Sequence, residues 1–289
     1  MGNGIMFEVL PPSKLASENY IAKVTENVVR VVNEIGNVGI LNIPEIVEEN
    51  HIGQPYYRNV DIRKYGNLLE KKTGKEIMIN TVVGHYGAER FSRWLDESIL
   101  NHGIKNFVFV GAKINGMKYL GPSVTEANQI GNNKNIKFGN IFIPNRPEEA
   151  ERLFAKTKSG CSLFTSQVLF EHDKAAHAIN AYLKKCRQHK LNPIKFYLSF
   201  APVSSSEDIE FLKWLGVDIS GKTESRLKRS SNMGEESINI IQDLISRIFC
   251  SIDDKIGLAL NLEYIMLHNL ELTKSLAQRI SELKITIDS

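Results

Sequence analysis

The chain is poor in cysteine: three in 289 residues, Cys161, Cys186 and Cys250, scattered and with no C-x-x-C pair. That pattern excludes a disulfide framework and a cysteine zinc site, and it fits a reducing cytoplasm. No uninterrupted apolar run approaches the ~20 residues that cross a bilayer, so no membrane partner is expected. Met1-Gly2-Asn3-Gly4-Ile5-Met6 lacks the basic and apolar stretches of a signal peptide, and Met6 stands where a myristoylation motif wants Ser or Thr. Lys and Arg outnumber Asp and Glu by only 36 to 33. The small, unclustered excess falls short of a nucleic-acid binder, while anionic small molecules stay open as partners. No G-x-G-x-x-G follows the first strand pattern, which leaves a dinucleotide fold with little support, and no repeat or low-complexity tract stands out.

What is present is a patterned, globular composition, 42% hydrophobic and 24% charged. Short apolar, β-rich runs alternate with longer amphipathic segments. The strand patterns cover residues 5–10, 38–43, 76–83, 106–110, 137–143, 162–169, 194–201 and 256–262. Helical spacing lies between them, as over residues 17–35, with Ile21, Val24, Val28 and Val31, and over residues 146–158. About eight βα units in a chain of this length predict a single-domain (β/α)8 TIM barrel spanning residues 1–289. A polar stretch over 220–233 and a helical run over 235–249 predict extra helices before the last strand. Apolar positions in that run leave a homo-oligomer open.

Strand ends carry the chemistry in such a barrel. The run Gly160-Cys161-Ser162-Leu163-Phe164-Thr165-Ser166-Gln167-Val168-Leu169-Phe170-Glu171 is apolar except for one amide near its end. Gln167 is placed to read a ring with a donor and an acceptor on one edge, or else to be satisfied by neighbouring backbone. Glu8, among Phe7, Val9 and Pro11, gains a raised pKa from partial burial, as a general acid near neutral pH requires. The alternative is a carboxylate paired with an inward lysine or capping a loop. Asn42 and Glu45 end the second strand, where they either face the mouth or start the loop. His85 follows the third strand and suits a phosphate or a ring, or a structural place. Gly111 ends the fourth. Ser123 and Glu126 have capping-box spacing, and the helix they open also suits a phosphate, with capping favoured. His172 and His177 lack i, i+4 spacing, so no metal is assigned. The Arg226-Leu227-Lys228-Arg229 run reads as a solvated helix face, and residues 204–208 as a helix N-cap.

Several of these segments together resemble the methylenetetrahydrofolate reductases. They are Phe7-Glu8-Val9-Leu10-Pro11-Pro12-Ser13, Phe164-Thr165-Ser166-Gln167-Val168-Leu169-Phe170-Glu171, Asn101-His102-Gly103-Ile104-Lys105-Asn106, and Ala201-Pro202-Val203-Ser204. The likeness runs in order from residue 7 to about residue 270. It implies a flavin-dependent barrel of one-carbon metabolism that passes a hydride from reduced FAD to the methylene carbon of a folate or related pterin. It implies Glu8 as the general acid and Gln167 as a pterin contact. It also implies Asn42 near the flavin, His85 as a flavin contact and Tyr119 as the aromatic after strand four. We place Glu45 with the substrate, and Gly111 and Ser123 with the cofactor. Electrons would come from NAD(P)H or an electron-donor protein.

The departures fall on the cofactor side. Where many members carry Arg-Gly-Asp, this chain has Gly111-Ala112-Lys113, and a lysine there would favour the anionic reduced flavin and weaken hydride donation. Lys158 and Ser206 stand where an acid and an aromatic are common, and Gln-Phe-Phe-Phe becomes Gln167-Val168-Leu169-Phe170. Two alternatives therefore stand beside the reductase: a flavin-free pterin-dependent C1 enzyme, and a non-catalytic pterin-binding or partner subunit.

Overall fold

The computed structural model of the protein describes residues 4–50, 54–111, 119–252 and 256–282. Its strands are β1 (Ile5–Glu8), β2 (Val38–Pro44), β3 (Val47–Glu49), β4 (Pro55–Tyr57), β5 (Glu76–Val82), β6 (Asn106–Val110), β7 (Lys137–Phe142), β8 (Leu163–Val168), β9 (Lys195–Phe200) and β10 (Leu258–Leu262). The helices are α1 (Glu18–Ile35), α2 (Ile62–Thr73), α3 (Ala88–Leu100), α4 (Val124–Asn133), α5 (Glu149–Lys158), α6 (His172–Gln188), α7 (Ser206–Trp214), α8 (Gly221–Arg229), α9 (Met233–Cys250) and α10 (Leu270–Glu282). Eight strands pair in parallel into a closed ring in the order β1-β10-β9-β8-β7-β6-β5-β2. This is the (β/α)8 barrel that the alternation predicts, and α8 and α9 are the extra helices before the last strand. One element has no counterpart in the sequence reading: β3 and β4 form a small antiparallel hairpin after β2, with Val47 opposite Tyr57.

Local chemistry sets the helix ends. The Ser17 hydroxyl caps α1 by accepting the Tyr20 amide, and Gly36, at φ 81°, ends it. Ser123 with Glu126, and Ser205 with Asp208, form the capping boxes that open α4 and α7. In α8 only Leu227 is buried, and Lys228 pairs with Glu224 at 2.6 Å, so this run is a solvated face. No described helix is long and apolar enough to cross a membrane.

Alternation along the strands divides the core in two. One row of side chains, including Phe7, Leu41, Ile79, Phe109, Phe138 and Phe164, faces the helices. Its rings interlock, as where Phe109 stacks on Phe138 with centroids 5.0 Å apart. Each buried phenylalanine contributes on the order of 1.5–3 kcal/mol. The other row faces the barrel axis, where Met6, Ile40, Met78, Val108, Leu163, Tyr197 and Ala259 form an apolar plug. The next residues of that row, two along each strand, are Glu8, Asn42, Asn80, Val110, Ile141, Thr165, Ser199 and Asn261. Six of those eight residues are polar, and they stand at the C-terminal ends of the strands, the end that carries chemistry in this fold.

The segment before α4 is strapped to the turn after β5. Gly121 donates its N–H to the Gly84 carbonyl at 3.0 Å. A Cβ at Gly121 would lie 2.2 Å from the Tyr86 carbonyl oxygen and 2.4 Å from that of Val83. Both obstacles are backbone and cannot rotate aside. Gly121→Ala is expected to destabilise the chain by about 1–3 kcal/mol in urea unfolding. A loss within about 0.5 kcal/mol would show that the strap yields.

Candidate functional site

Register brings the two ends of the chain together. Met6 pairs with Asn261 and Phe7 with Leu262, so Glu8 and Glu263 come next, side by side on neighbouring strands about 4.8 Å apart. On the other flank Glu8 pairs with Asn42 of β2, whose Nδ2 donates to Glu8 Oε2 at 3.0 Å. Asn261 Nδ2 donates to Glu263 Oε1 at 2.8 Å and lies 2.9 Å from Ser199 Oγ. The Ser199 hydroxyl also hydrogen-bonds Glu263. Behind them the Tyr264 hydroxyl accepts the Leu10 N–H at 3.0 Å. Glu263 is a site residue that the sequence reading missed, one position past the last predicted strand.

Both acids are half-buried, with the rest of each carboxyl enclosed by protein. Burial pushes Glu8 well above the usual carboxylate range, the Glu263 charge pushes the same way, and the Asn42 bond opposes them. Burial also lifts Glu263 to about 7, against the hydrogen bonds from Ser199 and Asn261. Around them Asn42 Oδ1, Asn80 Oδ1, Thr165 Oγ1 and Asn261 Oδ1 are buried with no partner among the described residues. Thr165 is only 2% exposed and Asn42 not at all. An unmet acceptor of this kind costs about 1–3 kcal/mol, so the site is primed for a ligand that brings donors. Across the ring from β1 and β10 stand β7 and β6, and their residues at this level are Ile141 and Val110. The acid pair, with Asn42 and Asn261 beside it, thus faces an apolar pair across the ring, and Asn80 on β5 and Thr165 on β8 flank the apolar pair.

A second polar cluster lies at the ends of β2 and β5. Glu45 accepts Thr81 Oγ1 at 3.0 Å, the Val82 N–H at 2.9 Å and the Tyr86 hydroxyl at 2.8 Å. Burial raises the Glu45 carboxyl, with those bonds opposing. Burial and the Glu45 charge together push the Tyr57 phenol up to about 12. The β3–β4 hairpin adds Glu49, which bonds His85 Nε2 at 2.6 Å and the Tyr119 hydroxyl at 2.7 Å. His85 and Tyr119 meet edge to face, centroids 5.8 Å apart. The structure thus gathers His85 and Tyr119 around Glu49, a carboxylate that sequence reasoning did not identify, with Glu45 in the same cluster held by Thr81, Val82 and Tyr86.

Gln167 is not gathered with Glu8. Its Nε2 donates to the Leu215 carbonyl at 2.9 Å, the backbone-satisfied alternative raised from sequence, and the two side chains share no partner among the described residues. The cause is local: β8 slips register against β9 between Thr165 and Val168, which interrupts strict alternation at Gln167. Ser123 spends its hydroxyl on the α4 capping box. Gly111 follows β6, and a Cβ there would touch Val124 at 3.4 Å. Ala112 and Lys113 lie outside the described residues. His172 bonds Asp173 at 2.7 Å and Ser251 at 2.8 Å. His177 lines a groove of about 460 Å³ between α5 and α6, which shares no residue with the acid pair. No group of three His, Cys, Asp or Glu side chains among the described residues is placed to hold a metal.

Four of the residues that the resemblance sets beside a flavin hydrogen-bond protein partners. Asn42 belongs to Glu8, His85 and Tyr119 are bound to Glu49, and Ser123 is a helix cap.

No protein-family model matches the chain. No curated protein matches it either. Solved structures do. A Clostridium thermocellum protein that binds two copies of 5-methyl-5,6,7,8-tetrahydrofolic acid superposes with a TM-score of 0.77 at 22% identity, over 97% of this chain and 95% of that one. A GH113 β-1,4-mannanase superposes with a TM-score of 0.59 at 10% identity, over 96% of this chain and 98% of that one. At these identities the likeness establishes the barrel.

The acid pair sets a pH dependence of stability. Both carboxyls bind protons more tightly folded than unfolded, so from about pH 4.5 to about pH 7 the folded state holds the more protons. Stability therefore falls as pH rises through that window. The double variant Glu8→Gln with Glu263→Gln is expected to flatten the fall and to melt above the parent at about pH 8. Thermal melts across the window check this, and a parent-like slope in the variant would assign the effect to other groups.

Proposed function

We propose that the protein binds a reduced pterin of the folate class in the barrel mouth and acts on it in one-carbon metabolism, with Glu8 as the acid. The observation that carries this is the asymmetry of the mouth. A pterin is a flat ring with several N–H donors along one edge, and the unmet acceptors of Asn42 and Asn261 beside the acid pair suit that edge, with Asn80 and Thr165 left for polar groups further round the ring. Val110 and Ile141 suit its apolar body. Glu8, its carboxyl pushed well above the usual range by burial, suits proton delivery to a ring or bridge nitrogen. The folate bound by the Clostridium thermocellum protein supports the ligand class.

The finer reading, a methylenetetrahydrofolate reductase-like oxidoreductase that takes hydride from FAD with electrons from NAD(P)H or a donor protein, rests on the sequence resemblance. Because Gly111-Ala112-Lys113 stands where many members carry Arg-Gly-Asp, we favour the flavin-free pterin-dependent enzyme. A protonated, desolvated acid costs stability that a purely binding subunit has no use for. The cysteine pattern supports a reducing compartment, and with the proposed substrate class it favours the cytoplasm.

Calorimetric titration with 5-methyltetrahydrofolate is expected to show binding, and its absence would remove the pterin reading. Thr165→Val deletes an oxygen that has no protein partner and conserves shape. It is expected to leave unliganded stability unchanged or higher while weakening binding by roughly 5- to 30-fold, about 1–2 kcal/mol. An unchanged dissociation constant would take Thr165 out of the site. Purified protein is expected to be colourless; a yellow preparation releasing FAD on denaturation would restore the reductase.

A further inference from the structure

Glu8 and Glu263 leave adjacent strands side by side, yet their hydrogen-bond partners are unequal. Among the described residues, Glu263 receives Asn261 Nδ2 at 2.8 Å and the Ser199 hydroxyl, whereas Glu8 receives only Asn42 Nδ2, at 3.0 Å. Donors favour the ionised form, so the better-supplied carboxyl keeps the charge. The groups acting on either acid come from β1, β2, β9 and β10: the other glutamate, Asn42, Ser199, Asn261 and the Tyr264 phenol behind. None of them is a cation. Two carboxylates so close in a partly dehydrated wall repel strongly, so the second proton is retained.

We propose that Glu263 is a positioning residue, the anionic half of a one-proton pair that keeps the transferable proton on Glu8 and turns its own charge to the ligand. The ligand-facing half of this rests on the pterin reading; the proton-holding half does not. On transfer, the Glu8 O–H bond breaks and an N–H bond forms on the ligand, with no change in oxidation state. Two carboxylates then face a ligand cation, whose charge replaces the proton that left. Glu263 thus opposes loss of the proton while the site is empty and favours the cation once the proton has moved.

Carbon-13 NMR of chain labelled at the glutamate carboxyls tests the pair without ligand, with the two signals assigned from Glu8→Gln and Glu263→Gln. Two proton losses are expected, Glu263 first at about 7 and Glu8 at higher pH. In Glu263→Gln the Glu8 step is expected to fall by about one pH unit or more, and Glu263→Asp to restore most of it. A Glu8 step that stays put in Glu263→Gln, or Glu8 titrating first in the parent, overturns the proposal. Ser199→Ala guards against a variant that fails to fold: it is expected to raise the first step, and an unmoved first step also overturns the proposal. Calorimetry with 5-methyltetrahydrofolate on the same samples separates the two ideas. Absent binding with the titration intact fells the functional reading alone, and binding with an unmoved Glu8 step fells the pair alone.

Discussion

Closing eight parallel strands into a ring sends every second side chain toward the barrel axis, where there is room for little else. That constraint organises the rest. Met6, Ile40, Met78, Val108, Leu163, Tyr197 and Ala259 fill the lower axis and exclude water from it. The next inward positions then lie on a dry floor, and any polar group there must find a partner in the protein or a ligand. The raised carboxyls of Glu8 and Glu263 follow from that floor, as do the unmet oxygens of Asn42, Asn80, Thr165 and Asn261.

Burial alone does not separate a working acid from a structural one; the number of donors does. Glu45 is also buried with a raised pKa, but three donors, from Thr81, Val82 and Tyr86, meet its two oxygens. It ties the end of β2 to the start of the turn after β5, and a proton on it would break those ties. Glu8 receives one donor and has a second acid for a neighbour. Its proton costs nothing in lost hydrogen bonds, so it is the one to move. The same comparison separates Thr165, whose hydroxyl has no partner, from Thr81, whose hydroxyl belongs to Glu45.

The barrel was legible because its signal is repeated. Eight period-two runs with amphipathic segments between them admit few other folds, and strand limits from sequence agree with the structure to within about two residues. Helix caps were legible because Ser123–Glu126 and Ser205–Asp208 act over three residues. The missed features are non-local or too short to be periodic. The β3–β4 hairpin has three residues per strand, so Glu49 had no pattern to mark it. Glu263 becomes a neighbour of Glu8 only through ring closure between the first and last strands; continuing the alternation Ala259, Asn261 by one step was the sole hint. Gln167 stands apart from the acid pair because the register slip in β8 interrupts strict alternation there, and its amide nitrogen meets the Leu215 carbonyl, a partner 48 residues on that no local pattern marks.

The two structural likenesses show why the wall, rather than the fold, decides the chemistry. One barrel cleaves a polysaccharide and the other binds a folate, on nearly the same length of chain. Glycoside cleavage sets two carboxyls on either side of the scissile bond, one to protonate the leaving oxygen and one to attack or to activate water from the other face. Here both acids stand on adjacent strands and approach any ligand from one side. A sugar is polar around its whole rim, and against Val110 and Ile141 its hydroxyls would lose their water and gain nothing. A flat heterocycle, as proposed, would meet less of that penalty, because its apolar body can rest on Val110 and Ile141 while its donors turn to the acid pair, Asn42 and Asn261.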